Sequence, residues 1–399
     1  MPFRVGSLFA GVGGICLGFK NAVDENGDNG YELVWANEID EYAAVTYRTN
    51  FNHNLIVGDI EKIVNLDRCI DELERELYET KRWQILDHQI DILTGGFPCQ
   101  AFSIAGKRKG FDDHRGNLFW SIIDLVNLIN NTHGEKPRVL FLENVKNLQS
   151  HDGGKTYEVI KRELIRIGYT VKEAVLNTMD FTNIPQNRER IFIVCFLNEE
   201  DADRFTIFDK DENGRYIHLN EYKNNFTADD RRNQINAIID YNLNFNDLEK
   251  YYYKREKYPH YFLTEEEYLQ IPVEERKEIR INLDEQITYM YQFYQIRRGM
   301  YVRRNMNGVC PTLTANMGTG GHNVPLIRVN DGIRKITPAE AFKLQGFPVG
   351  YEDIPLIEGG TNYILPANLS DGRLYKQAGN AVTVPLITFI AEKILEVLI

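Results

Sequence analysis

The feature that most constrains the fold is an alternation in the first half of the chain, where short apolar runs are separated by stretches with apolar residues recurring every three or four positions. Arg4–Phe9, Leu33–Asn37, Ile90–Thr94, Arg138–Leu142, Thr170–Leu176 and Arg190–Phe196 read as strands. Asp40–Asn50, Leu118–Asn130 and Thr156–Ile167 read as helices between them. Strand and helix in alternation predict a doubly wound, mostly parallel α/β sheet. Near Leu197 the texture changes to an acidic, polar segment and then to the aromatic and charged "KYYYKREKYPHYFLTEEEYLQ". A domain boundary is expected there, giving a first domain over 1–197, a smaller one over 198–364, and a segment 365–399 that returns to the first. The return is expected because "AVTVPLITFIAEKILEVLI" is strongly apolar with helical spacing. The tyrosines of the second region could stack bases, but packing with satisfied hydroxyls is the preferred reading.

At 399 residues with 43% hydrophobic side chains, the chain can bury a sizeable core. No run of about 18 uncharged apolar residues occurs, and "MPFRVGSLFAGVGG" lacks the layout of a signal peptide, so a cytoplasmic protein is expected. Five cysteines, at 16, 69, 99, 195 and 310, are scattered without CxxC pairs, which indicates neither a metal site nor disulfides. All but one read as small buried hydrophobes. A net charge of -12 argues against a general polyanion binder, since that affinity rests on Lys and Arg, and leaves nucleic-acid binding by local clusters open. Local basic stretches remain at "KRKG", 107–110, and "IRRGMYVRR", 296–304.

"SLFAGVGGICLGF" follows the first strand and opens a helix, the place where a nucleotide-like cofactor sits in an open α/β sheet. Gly11, Gly13 and Gly14 allow a sharp turn and close approach to a ligand. The dinucleotide fingerprint fails, because Cys16 stands where its third glycine would fall. Glu38, ending the second strand, is placed to accept hydrogen bonds from ribose hydroxyls, and Asp59 falls after the third strand, where an adenine amino group could be read. That order suits S-adenosylmethionine better than a dinucleotide.

In "DILTGGFPCQ" an apolar strand ends in two glycines and then Phe97, Pro98 and Cys99, so the thiol lies at the carboxyl end of the sheet, where a nucleophile belongs. "PRVLFLENV" ends another strand with Glu143 at the same edge, suited to sharing a proton with a heterocycle nitrogen. "IPQNRERIFIVCF" offers Arg188 and Arg190 just before a strand, spaced to point to one face. A thiol protease would need a histidine base, and none of the eight histidines stands in a comparable strand-end context.

The ordered segments "FAGVGGICLGF", "ANEID", "GDI", "GGFPCQAFSIAGKRKGF", "RGNLF", "ENV", "QNRERIFIV", "ITPAEAFKLQGFP" and "QAGNAVTVPL" resemble the motif blocks of the carbon-5 cytosine DNA methyltransferases. The resemblance covers residues 1–197 and 334–399. It implies a Rossmann-like methyltransferase domain that uses S-adenosylmethionine, with a second, target-recognition domain in 198–333. Cys99 would add to carbon-6 of a cytosine flipped out of duplex DNA while Glu143 protonates or hydrogen-bonds ring nitrogen-3; Arg190 would hold the exocyclic oxygen, and Arg188 would tune the thiol and its loop. For the cofactor it implicates Phe9, Ala10, Gly11, Gly13 and Gly14, with Glu38, Ile39, Asp59, Ile60, Pro98 and Leu118, and with Asn380 and Ala381 of "GNAV". For DNA it implicates the loop after the cysteine, including Gln100, Ser103, Lys107, Arg108 and Lys109, and the Thr312–Leu313 landmark. Near that landmark Gln295, Arg297, Arg303 and Arg304 could read guanine edges or phosphates.

The size resembles prokaryotic or phage enzymes of restriction systems, acting as monomers with no stable nuclease complex implied. Two alternatives are a transfer-RNA cytosine methyltransferase on the same scaffold and a catalytically silent DNA-binding homologue; the latter predicts erosion at Cys99, Glu143 or Arg190, and all three are present.

Overall fold

The computed structural model describes residues 1–98, 118–239, 241, 246–297, 299–305, 308–319, 323–349 and 362–399. The chain forms two compact units, the first made of residues 1–177, 189–223 and 384–399, the second of 178–188 and 224–383.

The first unit is built on seven strands: β1 Phe3–Leu8, β2 Tyr31–Glu38, β3 Asn54–Val57, β4 Ile92–Gly96, β5 Val139–Val145, β6 Thr170–Asn177 and β7 Glu189–Phe196. Their order is β3-β2-β1-β4-β5-β7-β6. Helices α1 Gly14–Asn21, α2 Glu41–Asn50, α3 Ile60–Val64, α4 Glu72–Leu86, α5 Leu118–His133 and α6 Lys155–Arg166 lie between strands. From β1 the chain winds outward through β2 and β3, then returns to the other side of β1 for β4 and β5. That reversal makes the carboxyl ends of β1 and β4 the topological switch point, the crevice where ligands bind in such sheets.

Only β7 runs against its neighbours: it pairs antiparallel with both β5 and β6. Its amino-terminal end therefore lies at the carboxyl ends of the parallel strands. The strands are apolar because helices cover them: Leu93, Leu140, Leu142, Ile193 and the helix residues Ile122, Val126 and Ile160 are fully buried in one cluster.

The terminal helix Val384–Leu398 packs along α1. A Cβ on Gly18 would lie 2.5 Å from Ile387 Cβ, so only glycine permits this approach, and Thr388 Oγ1 donates to the Gly18 carbonyl at 3.1 Å.

The units divide elsewhere than the change of composition at Leu197 indicates. Residues 198–223 stay with the first unit because Phe205 and Phe208 are buried, Phe205 packing 5.2 Å from Phe196 and 5.1 Å from Phe208. The strands β6 and β7 are neighbours, yet the chain between them, 178–188, goes to the second unit, and so does 365–383. A polar, acidic stretch thus marks surface, not a boundary.

The second unit carries a four-stranded antiparallel sheet, β8 Tyr294–Arg297, β9 Tyr301–Arg304, β10 Leu326–Val329 and β11 Gly332–Lys335, in the order β11-β10-β8-β9. Tyr253, Tyr261 and Phe262 from the aromatic segment are buried with Ile281, Leu283, Tyr294 and Ile333. Packing, not display, uses those rings. The buried Arg334 guanidinium pairs with both oxygens of Glu340, at 2.7 and 2.8 Å, tying β11 to the helix Pro338–Lys343.

Candidate active site

The carboxyl edge of the seven-stranded sheet gathers the turn after β1, the ends of β2, β4 and β5, and the start of β7. The turn after β1 is built from left-handed backbone: Phe9 has φ 54, Gly11 φ 56 and Gly13 φ 84. A bulky residue such as Phe9 in that region costs about 1–3 kcal/mol, a strain that clusters at functional sites. Among the described residues, a Cβ at Gly11 would meet no atom within 4 Å, so no described side chain closes the turn there.

Glu38 fixes this turn. Its Oε2 accepts the Gly11 N–H at 2.7 Å, and its Oε1 accepts the N–H groups of Ile39 and Asp40 at 2.8 and 2.7 Å. A carboxylate has about four lone-pair sites, so three such bonds leave capacity for a ligand hydroxyl. Ile39 beside it is 63% exposed, an apolar face unusual for a strand end.

Asn37, which the sequence reading did not single out, ties the neighbouring strand. Its buried side-chain amide donates to the carbonyls of Ile56 and Gly58 at 2.9 and 3.0 Å, while its backbone carbonyl accepts the Ala10 N–H at 2.9 Å. Asp59 caps α3, accepting the Glu61 N–H at 2.9 Å, with Ile60 buried behind it. Gly14 begins α1 and is buried, and Leu118 begins α5 half-buried.

On the other side of the switch point, Glu143 near the end of β5 is buried to 8% exposure, and its Oε1 lies 3.0 Å from Nε of Arg190. Register explains the meeting: Val145 is paired with Arg190 and Glu143 with Phe192, so Glu143 and Arg190 are diagonal neighbours on one face. Opposite Glu143 in the β4 ladder stands Gly96, and a Cβ there would lie 3.2 Å from Glu143 Oε2. The glycine leaves the carboxyl its room.

Asn144 is a second residue the sequence reading passed over, although it sits inside "ENV". Its Nδ2 donates to the Phe97 carbonyl at 2.8 Å and its Oδ1 accepts the Val145 N–H at 2.8 Å. Pro98 has no N–H with which to continue a ladder past Gly96, so the Asn144 amide extends the pairing in its place. Phe97 is buried 5.8 Å from the Phe119 ring, and Pro98 is exposed. The segment leading to Cys99 is thus held by one ring and one amide. Cys99 itself, with Gln100, Ser103, Lys107, Arg108 and Lys109, lies outside the described residues.

Arg188 departs from expectation. It precedes β7 and belongs to the second unit, where its buried guanidinium donates to the carbonyls of Leu313 at 2.8 Å, Ala381 at 2.6 Å and Gly379 at 3.3 Å. Its side chain is thus spent on backbone carbonyls of the second unit. Leu313, expected at the DNA, is 1% exposed, with its N–H given to Gln186 at 3.1 Å and its carbonyl taken by Arg188. Such a residue is a core anchor. Thr312 donates to the Asn187 carbonyl at 2.6 Å. Gly379 packs tightly, since a Cβ there would lie 2.1 Å from the carbonyl carbon of Thr314. Asn380 is exposed at the end of the helix Asp371–Asn380, and Ala381 is buried.

In the second unit the β8–β9 hairpin displays charge. Gln295 faces Arg303, and Arg297 faces Tyr301, on one side; Arg304 on the other side lies 4.4 Å over the Tyr289 ring. Arg297, Arg303 and Arg304 are all exposed.

Against known families, residues 3–396 match the model of the C-5 cytosine-specific DNA methylases. The chain belongs to that family. It is 42% identical over 396 residues to the type II methyltransferase M.Bsp6I of Bacillus sp. (strain RFL6), covering 98% of each chain. It is 33% identical over 404 residues to the type II methyltransferase M.NlaX of Neisseria lactamica, covering 98% of this chain and 96% of that one. Among solved structures, the Dnmt2 methyltransferase of S. pombe matches with a TM-score of 0.57 at 16% identity, covering 100% of this chain and 99% of that one, a likeness of fold. As a C-5 cytosine-specific DNA methylase, the protein acts on DNA, transferring a methyl group to carbon-5 of cytosine. Among the described residues no helix is long and apolar enough to cross a membrane.

Proposed function

We propose that this methylase flips a cytosine out of duplex DNA and moves a methyl group to its carbon-5 from S-adenosylmethionine, through a covalent adduct at Cys99. The observation that carries the reading is the Glu143–Arg190 pair, held at 3.0 Å on the same sheet edge as the Glu38-braced glycine turn. Cytosine resists nucleophiles at carbon-6 unless electron density is drawn out of its carbon-5–carbon-6 double bond toward nitrogen-3 and the exocyclic oxygen. Glu143 meets nitrogen-3 and Arg190 the exocyclic oxygen, so that carbon-6 accepts the Cys99 thiolate. Density returned to carbon-5 takes the methyl group; loss of the carbon-5 proton and departure of Cys99 then restore the ring.

The residues present fit the cofactor. The room at Gly11 among the described residues, the remaining acceptor capacity of Glu38 and the exposed Ile39 match an amino-acid end, ribose hydroxyls and a flat heterocycle. When bound, S-adenosylmethionine supplies an electrophilic methyl group. Phe9, Ala10, Gly11, Gly13 and Gly14 would hold its methionine part, Glu38 the ribose, Asp59 and Ile60 the adenine, with Pro98 and Leu118 as wall and Asn380 and Ala381 completing it. Arg297, Arg303, Arg304 and Thr312, together with the cations after Cys99, are assigned to DNA. Arg188 and Leu313 are assigned to the frame of the second unit.

Because its relatives are named type II methyltransferases, the setting proposed is a bacterial or phage restriction-modification system in the cytoplasm, with the enzyme a monomer that forms no stable complex with a nuclease. Methylation-sensitive sequencing of DNA from cells expressing the chain tests the reading. The expected result is 5-methylcytosine at one short recurring sequence; an unmodified genome, or methyl groups on adenine or on RNA alone, contradicts it.

A further inference from the structure

A cluster that takes no part in the chemistry above lies directly behind the cofactor turn. At Gly13 a Cβ would stand 2.2 Å from Phe51 Cε2 and 3.1 Å from Tyr47 Cε2. The two glycines of one turn therefore differ: Gly11 has no described atom within reach of a Cβ, and Gly13 lies against two rings. Tyr47 and Phe51 are stacked at 4.5 Å, and the His53 ring meets them edge-on at 5.5 and 5.6 Å. The fully buried Tyr47 hydroxyl lies 2.6 Å from His53 Nε2 and 3.0 Å from Cys16 Sγ on α1. Cys16 occupies the place where a dinucleotide fingerprint would have its third glycine. Burial pushes the His53 pKa down to about 4 and raises that of Cys16, so at neutral pH an uncharged imidazole and a thiol hold one hydroxyl from two sides.

We propose that Tyr47, Phe51, His53 and Cys16 form a bed that sets the conformation of the Phe9–Gly13 turn, with the Tyr47 hydroxyl as its pin, which makes them positioning residues for the cofactor. This rests on the reading of that turn as the S-adenosylmethionine site. With the pin removed, the Tyr47 ring is free to shift, and Gly13, in contact with it, moves the backbone that faces the ligand. Cys16 supplies a polar sulfur to the pin that glycine would not.

The test is calorimetric titration of the full chain with S-adenosylhomocysteine, the demethylated product, which binds without turnover. Tyr47→Phe and His53→Ala are each expected to weaken binding about three- to tenfold, the equivalent of one net hydrogen bond, while affinity for duplex DNA stays within about twofold. His53→Gln, which keeps a side-chain hydrogen-bonding group that can donate to the Tyr47 hydroxyl, is expected to restore most of the loss. Tyr47→Phe that melts at a lower temperature yet binds S-adenosylhomocysteine like the wild type overturns the proposal, since the bed would then be structural only. His53→Ala, at a half-buried position, carries the same test should Tyr47→Phe fail to fold. A wild-type chain that does not bind S-adenosylhomocysteine at all overturns the cofactor reading beneath it.

Discussion

The edge of the seven-stranded sheet and the β8–β9 hairpin of the small sheet use polar residues in opposite ways. At the large sheet, Glu38, Asn37, Asn144 and Glu143 are buried and tied to backbone groups or, for Glu143, to the Arg190 guanidinium. On the hairpin, Arg297, Arg303 and Arg304 stand on four-residue strands in solvent. On the assignment proposed above, the sheet edge does chemistry at a carbon atom, which needs groups fixed before the substrate arrives, and backbone hydrogen bonds and ladder register fix them. On the same assignment the hairpin cations read DNA, which needs long side chains that find phosphates and base edges after contact, so exposure serves them. The difference separates the positions where substitutions are expected to alter rate from those where they are expected to alter recognition.

The largest effect is expected at the buried end of the comparison. Glu143→Gln should slow single-turnover methyl transfer by about 10²- to 10⁴-fold while DNA and S-adenosylhomocysteine affinities stay within a few-fold. An unchanged rate would remove the carboxyl from the reaction and break the contrast.

Arg188→Ala should lower resistance to urea by about 3 kcal/mol, because three buried carbonyls lose a charged donor. The folded variant should still methylate. A variant as stable as wild type but inactive would return Arg188 to the reaction.

Asn144→Ala should cut kcat by about tenfold with KM for S-adenosylmethionine preserved, as expected when one orienting hydrogen bond is lost behind the nucleophile. A change in KM alone would move Asn144 to the cofactor. The smallest effect belongs to the exposed side. Arg303→Ala should weaken DNA binding by less than about tenfold and lower the salt slope by about 1, without changing the single-turnover rate at saturating DNA. A loss of rate there would blur the division between the two regions.

Much of the first unit was legible because its strands are apolar runs bounded by helices. The approximate positions of β1, β2, β4, β5, β6 and β7, and of Glu143 and Arg190 at one edge, followed from that pattern. Periodicity cannot tell that β7 runs antiparallel, and this direction is what brings Arg190 to the carboxyl edge. Spacing did not reveal that the Arg188 guanidinium is buried against the carbonyls of Leu313, Gly379 and Ala381, because those partners lie more than a hundred residues away in sequence. Asn37 and Asn144 escaped notice because an amide that completes backbone pairing looks in sequence like any polar residue at a strand end. Leu313 shows the converse: a motif residue was read as contact surface when burial makes it an anchor. The unit boundaries were hidden because the chain leaves and re-enters the first unit between adjacent strands, where composition does not change.

Duplex DNA carrying 5-fluorocytosine at the methylated position offers the most direct test of a thiol acting at this sheet edge, since fluorine blocks the proton loss that frees the enzyme. With S-adenosylmethionine present, the wild-type chain should form a complex stable to denaturing electrophoresis, and Cys99→Ser should form none while still binding DNA and cofactor. A wild-type chain that turns over cytosine but leaves no such adduct, or a Cys99→Ser variant that is still trapped, would contradict the account.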